Sequence, residues 1–142
     1  MSSKREQIIA AVAAALAGTS AAVERDSDIP ESVPPAGLVI VRSVAPEIED
    51  ETIGAVRGWY MALDVPVEMY VAGGDAPARA ARLDDLAGRT YAAVIGSAAL
   101  QSLATYVTAT LAELEPLAGE GQSTFLAAQM TVRVEYDADT PV

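Results

Sequence analysis

The stretch that decides the fold is Trp59–Val71, which reads WYMALDVPVEMYV. Its odd positions are all large and apolar, whereas its even positions mix tyrosine, alanine, proline and carboxylate side chains. Side chains on a β-strand point alternately to the two faces of a sheet, with a period of two residues. The stretch therefore predicts one long strand with one fully buried face, in a domain built on a sheet.

The composition excludes most catalytic chemistry. The 142 residues include no cysteine, no histidine and a single lysine, Lys4. Disulfides, thiolate ligands, histidine general bases and Ser-His-Asp triads therefore cannot form. Hydrophobic residues make up 51% of the chain, which is typical of a packed protein, and the length predicts one domain over residues 1–142.

The charge of the chain excludes two classes of partner. Nine basic residues stand against 20 acidic residues, which gives a formal net charge of −11. Such a surface repels nucleic acid and anionic membranes, so binding to neither is expected. The apolar run Ile8–Ala17 is shorter than the roughly 20 residues that span a bilayer. Its basic flank is interrupted by Glu6, so a capped helix explains it better than a signal peptide, and the chain is expected in the cytoplasm where it is made.

Two helices are predicted from their start signals. Ser3–Glu6 matches the capping box S-x-x-E before an Ile/Leu stripe, and Gly18 is a natural stop. Asp75 is a good N-cap for a second helix over Ala78–Ile95. The apolar stripe of that second helix consists of Leu83, Leu86, Ala87, Thr90 or Tyr91, and Val94.

The remaining segments predict an α+β fold. The long strand is expected to start at Arg57, and further strand patterns occur at Ala21–Arg25, Leu38–Val44, Thr105–Glu115 and Phe125–Tyr136. Loops or turns are predicted at Asp26–Ala36, Ala45–Gly54, Gly96–Leu103 and Pro116–Gly121, and fraying at Asp137–Val142. Because proline has no N–H to donate, Pro66 predicts an edge, a bulge or a bend inside the long strand. This order predicts a mostly antiparallel sheet with two helices packed on one side.

Carboxylates are the only abundant candidates for chemistry. An acidic cluster is formed by Glu47, Glu49, Asp50 and Glu51. It can be a solvated loop, a charged contact surface or a weak cation site, although it lacks the spacing of a calcium loop. Asp64 and Glu68 lie on one strand face about two steps of ~6.6 Å apart, too far to share a proton directly but compatible with a glycosidase pair. The few aromatic residues argue against a sugar site, so no enzyme, cofactor or metal is predicted.

A contact surface is the other candidate. Tyr60 and Tyr70 lie on the mixed face of the long strand, where they either pack under a helix or loop, or form a protein interface. Arg79 and Arg82 fall on the second predicted helix. These four residues and the acidic cluster are the predicted interface residues.

Several segments together carry a family resemblance. They are an N-terminal helix with Lys4, Arg5, Ile8, Ile9 and Leu16, a strand after Pro34 and Pro35, the Arg57-led strand, the Leu83–Leu86 helix and a last strand ending in Tyr136. In this order the chain resembles the phage tail terminators, typified by the minor tail protein U of lambda-like long-tailed phages. The resemblance leaves Asp26–Ala36 and Glu47–Glu51 without a counterpart.

The resemblance implies a structural role in the virion. Members of the family form a six-membered ring on the head-proximal end of the tail tube, stop its growth and offer a surface to the head connector. The implied partners are other copies of the chain, the tail tube protein and the head-tail connector protein. Two rival interpretations remain: another head-tail joining or tail-tube subunit, and a monomeric α+β module that binds a small ligand beside Asp64 and Glu68.

Overall fold

The computed structural model describes residues 2–52, 58–118 and 124–142. Within these ranges it contains three α-helices and six β-strands. In chain order they are α1 (Lys4–Leu16), β1 (Ala22–Arg25), β2 (Leu38–Val41), β3 (Glu47–Thr52), β4 (Gly58–Ala72), α2 (Ala76–Ile95), α3 (Ala98–Leu103), β5 (Tyr106–Ala118) and β6 (Thr124–Ala138). Arg57, predicted to start the long strand, lies outside the described residues.

The six strands form one sheet in the order β1-β2-β4-β6-β5, with β3 also paired to β4. Only β1 and β2 run parallel, and every other pair is antiparallel. This confirms the predicted α+β class and the mostly antiparallel sheet.

Strand β4 is the centre of this sheet, as its alternation predicts. One edge of β4 pairs with β6 from Trp59 to Ala72. The other edge pairs with β3 over its first residues and with β2 over its last. Pro66 lies between these two neighbours, where its carbonyl accepts a hydrogen bond from the Arg42 N–H at 3.0 Å. Pro66 therefore lies in the gap between β2 and β3 on a central strand, where a residue without an N–H is tolerated.

The core lies on one face of the sheet, beneath the helices. The odd-numbered side chains of β4 from Met61 to Val71 are buried there, together with the even-numbered side chains of β6 from Ala128 to Tyr136. The helices contribute the buried side chains Ile8, Ile9, Val12, Leu16, Leu83, Leu86, Ala87, Val94 and Leu100. The face opposite the helices is called the outer face below.

The helix caps follow the predicted signals. The Ser3 hydroxyl accepts a hydrogen bond from the Glu6 N–H, and the Asp75 carboxylate accepts one from the Ala78 N–H. Each satisfies an N–H that the first helical turn would leave unpaired. The prediction of a turn at Gly96–Leu103 was wrong, because Ser97 caps the six-residue helix α3 in the same way.

Three predicted loop or tail segments continue strands instead. The acidic stretch predicted as a loop over Ala45–Gly54 contains strand β3. Strand β5 runs through Pro116 to Ala118, where a turn was predicted, and residues 119–121 of that turn lie outside the described ranges. Strand β6 includes Asp137 and Ala138, two residues of the tail that was predicted to fray.

Candidate assembly surface

The outer face of the sheet is partly covered by the chain itself. The proline-rich segment before β2 brings Val33 against Leu38, Ile40 and Tyr70, which form a second, smaller apolar cluster. Tyr70 is only 4% exposed. Of the two interpretations of this tyrosine, its position supports burial under a loop. This end of the outer face is therefore covered within the subunit.

An ion pair holds the proline-rich segment against the sheet. The Arg42 guanidinium donates two hydrogen bonds to the Glu68 carboxylate, at 2.7 and 3.0 Å, and a further one to the Ser27 carbonyl. The Tyr70 hydroxyl donates to the same carboxylate at 2.5 Å. Hydrogen bonds from Arg42 lower the pKa of Glu68, while burial raises the pKa of Tyr70 to about 12. The group therefore links the loop, the end of β2 and β4.

A second arginine joins three strands on the uncovered part of the outer face. Arg133 on β6 lies 3.0 Å from the Asp64 carboxylate on β4 and 2.9 Å from the Glu49 carboxylate on β3. Glu49 sits at a register shift between Ile48 and Asp50, so its side chain can reach over β4. The hydrogen bonds that Arg133 donates to the Glu49 and Asp64 carboxylates raise its pKa. Arg133 thus holds the acidic strand β3 to the sheet.

These pairings disfavour the rival small-molecule site. Asp64 and Glu68 each bind a different arginine, so neither carboxylate is left for a shared substrate. Three surface grooves of about 580, 410 and 110 Å³ lie around the proline-rich segment and the start of α2, and neither carboxylate lines them. In the described ranges, no group of three or more metal-binding side chains is positioned to hold an ion.

The acidic residues of β3 lie at an exposed edge of the sheet. Glu47, Asp50 and Glu51 are exposed, and Glu49 is the member of the cluster whose carboxylate pairs with Arg133. Strand β3 pairs with β4 on one side, and no described strand lies on its other side. Charged residues on an edge strand discourage uncontrolled pairing with other chains.

Tyr60 lies next to this edge on the outer face. In the sheet register it is flanked by Asp50 on β3 and by Asp137 on β6. Its side chain is half-buried, and burial followed by the nearby Glu135 carboxylate raises its pKa. The structure therefore brings Tyr60 together with the predicted acidic cluster, and it separates both from Tyr70.

Arg79 and Arg82 are far from this group and bind the turn that ends β4. Arg82 donates to the carbonyls of Ala72 and Gly73, both at 2.5 Å, and Arg79 donates to the Gly74 carbonyl at 2.6 Å. Gly73 and Gly74 have positive φ angles of 83° and 69°, a conformation that favours glycine. The two arginines therefore stabilise a tight turn within the subunit.

The open edge of β5 is a candidate contact surface that was not predicted from the sequence. No described strand pairs with β5 on the side away from β6. Residues Tyr106–Leu111 contain no charge, and Tyr106 and Leu111 are 55% and 49% exposed. A long, uncharged edge strand is a template for pairing with another chain. The only sequence signal was the absence of any charged residue in this segment of a strongly acidic chain.

No family model matches the chain, and no curated protein matches it. A chain from the solved structure of the virion of a native gene transfer agent (GTA) particle is similar at 18% identity and a TM-score of 0.36, with 94% of this chain and 92% of that chain covered. Within the described residues, none of the helices combines the length and apolarity needed to cross a membrane.

Proposed function

We propose that this chain is a structural protein of a phage virion, the terminator of a long tail. In this role it closes into a ring of six subunits on the head-proximal end of the tail tube, stops polymerisation of the tube and provides the surface to which the head connector binds. Its partners are further copies of itself, the tail tube protein and the connector, and it is made in the host cytoplasm. It needs no cofactor and catalyses no reaction.

The observation that carries this proposal is the presence of open edges of different charge on the described sheet. The edge at β5 is uncharged over Tyr106–Leu111, the edge at β3 is acidic, and the four-residue strand β1 forms a third edge. A subunit with two different open edges can bind a copy of itself head to tail, and head-to-tail contacts generate closed rings when the rotation closes. The resemblance in element order then selects the terminator among ring-forming virion proteins.

The charge of the chain agrees with a ring through which DNA passes. Because phosphate binding needs clustered lysine and arginine, a subunit with 9 basic and 20 acidic residues does not retain DNA in its lumen. Arg25, Arg42, Arg89 and Arg133 are also paired with carboxylates of the same subunit.

Electron microscopy of the purified protein tests this proposal. Closed rings of uniform diameter are expected, since a terminator must stop growth rather than propagate it. Open stacks or long tubes would instead assign the chain to the tail tube, which is the second candidate function. Single subunits at every concentration would contradict both assignments.

Ring formation should strengthen with salt. Six subunits at −11 each amount to about −66 in one particle, so like-charge repulsion opposes assembly. Raising the salt from about 0.01 M to about 0.5 M shortens the screening length from about 30 Å to a few ångströms. We expect the protein concentration at half-assembly to fall roughly tenfold, as measured by analytical ultracentrifugation. A half-assembly concentration that rises with salt would show that attractive ion pairs, not uncharged contacts, hold the ring.

A further inference from the structure

The open edge of β5 points to an assembly other than the ring. We propose that the free chain forms a two-fold dimer, in which the β5 edge of one copy pairs with the β5 edge of a second copy. The contact is antiparallel and centred on Thr108, and it joins the two sheets into one. It commits the open edge of β5 to one occupant, a second copy of this chain.

The absence of charge in β5 favours pairing of this edge with itself. The segment Thr105–Leu111 contains no charged side chain, although the net charge of the chain is −11. Like charges directly opposite each other destabilise a strand pair, so Glu47, Asp50 and Glu51 disfavour the pairing of two copies of β3. Strand β1 has only four residues. Among the edges of the described sheet, β5 is therefore the one best suited to pair with its own copy.

A two-fold axis through Thr108 gives the two edges a compatible geometry. An axis perpendicular to the sheet relates the two β5 strands as antiparallel neighbours and keeps the helices of both copies on the same side. Tyr106 then lies opposite Thr110 of the second copy, and both residues belong to the outer face. The regular register of β5 is interrupted after Leu111, so a pair centred on Thr108 uses the regular part of the strand.

The exposed side chains at this edge fit such a contact. Tyr106 and Leu111 are 55% and 49% exposed, and they lie on opposite faces of the sheet. Because Leu111 lies on the face that carries the helices, its exposure indicates that the helices do not extend over this edge. Both side chains lose exposed apolar surface when two copies pair, which favours association.

Pairing through β5 closes the assembly at two copies. Both β5 edges are used in the contact, and the described edges that remain open are the acidic β3 and the short β1. A long uncharged edge that stayed open would be a template for pairing with further chains. One strand from each copy makes a contact smaller than the about 1,200 Å² of stable protein pairs, so we expect the dimer to be weak and reversible.

The dimer and the ring are alternative assemblies. A ring with one face for the tail tube and another for the head connector has no two-fold axis between its subunits. Two copies paired through β5 therefore do not belong to the same ring. Because the contact is weak, the copies can separate when the ring forms.

Engineered cysteines test the contact directly, because the chain has no cysteine of its own. Residues directly opposite each other in antiparallel strands have Cα atoms about 4.5–5.5 Å apart, a distance that a disulfide can bridge. Under mild oxidation, Thr108→Cys should give a disulfide-linked dimer of about 29 kDa, twice the subunit mass of 14.7 kDa. In the matched control Thr110→Cys, the two cysteines would be about 13 Å apart along the strands, so the linked fraction should be at least about fivefold lower.

Charge substitutions at Thr108 test the two-fold symmetry. Thr108→Glu places two carboxylates opposite each other at the axis, and Thr108→Lys places two ammonium groups there. Each variant alone should raise the dissociation constant of the dimer at least about tenfold, in sedimentation equilibrium below the concentration at which rings form. An equimolar mixture of the two variants should restore the constant to within about threefold of wild type, because the mixed pair has opposite charges.

A control variant and a folding check accompany these measurements. Ala81 is exposed on α2, so Ala81→Glu adds the same charge away from the contact and should leave the dissociation constant within about twofold of wild type. Far-ultraviolet circular dichroism and thermal unfolding of each variant check that the subunit remains folded.

The possible outcomes separate the dimer from the proposed ring. Linkage of Thr108→Cys but not of Thr110→Cys, with recovery in the mixture of charge variants, would confirm the dimer. Equal linkage of both cysteine variants, or weakening by only one sign of charge, would overturn the two-fold contact. A wild-type chain that is monomeric below the ring-forming concentration would overturn it as well. In each of these cases the ring stands, since it fails only if no closed particle forms at any salt concentration.

Discussion

Leu63→Ala is expected to lower the free energy of unfolding by about 3 kcal/mol, within the range of about 2–5 kcal/mol for large-to-small substitutions in protein cores. Leu63 is fully buried at the centre of β4, where its partner across the sheet is Val134 on β6. Truncation removes buried methyl groups and leaves a cavity that the paired strands cannot close by moving. Urea unfolding followed by circular dichroism measures the change.

The next residue along the strand provides the matched control. Asp64 points to the outer face and pairs with Arg133, and its side chain is 42% exposed. Asp64→Ala should therefore change the stability by no more than about 1 kcal/mol, as exposed ion pairs usually do. If the two substitutions cost the same, β4 does not present one apolar and one polar face, and the fold described above is wrong.

Arg42→Ala is expected to destabilise the chain by about 2 kcal/mol, because it leaves a partly buried carboxylate without its ionic partner. Arg42 and Glu68 are only 24% and 22% exposed. Loss of the guanidinium also frees the Ser27 carbonyl, so the segment that covers Tyr70 should loosen. Limited proteolysis of this segment, measured alongside urea unfolding, should be faster in the variant.

An exposed ion pair on α2 serves as the control for Arg42. Asp85 is 67% exposed and pairs with Arg89 one helical turn away at 2.9 Å. Such i,i+4 pairs contribute only about 0.3–0.5 kcal/mol, so Asp85→Ala should be nearly neutral. A neutral Arg42→Ala variant with unchanged proteolysis would show that the loop is held by its apolar contacts alone.

The same group gives the stability of the chain a defined pH dependence. Because Arg42 lowers the pKa of Glu68, the ionised Glu68 carboxylate stabilises the fold above its ordinary pKa of 4.5. This stabilisation is lost as the pH falls below that pKa. Because the pKa of Tyr70 is raised from 10.0 to about 12, its stabilisation is complete below pH 10 and is lost as the pH rises toward about 12. In a plot of unfolding free energy against pH, Arg42→Ala should therefore flatten the acid limb. Tyr70→Phe should flatten the alkaline limb of the same plot.

The elements with strong periodicity could be predicted from the sequence. Strands β4 and β6 and helix α2 have alternating or helical apolar patterns, and α1 and α2 also have capping residues that bind as expected. These signals are local, because each depends on the hydrogen bonds and the exposed face of one segment. The core could therefore be predicted from the sequence, because it is formed by the apolar faces of these elements.

The elements that were missed depend on contacts made elsewhere in the chain. Strand β3 is rich in glutamate and aspartate, which are rare in strands. It forms because its backbone pairs with β4 and its Glu49 carboxylate pairs with Arg133. Pro116 is tolerated in β5 because an edge strand can spare one N–H group. Helix α3 has six residues, too few to show a helical period.

The candidate surface was predicted only in part for the same reason. Residue type drew attention to the acidic cluster and Tyr60, but it could not show that Val33 from a distant loop covers Tyr70. It also could not show that Arg79 and Arg82 bind the backbone of a turn. The open edge of β5 emerges only from the order of strands in the sheet.

The mass of the native particle is the most direct test of the ring. Native mass spectrometry of the purified wild-type chain at moderate salt should give one dominant closed species of about 88 kDa, six times the subunit mass of 14.7 kDa. A single peak at the subunit mass under all salt conditions, or an open-ended ladder of masses, would contradict the account.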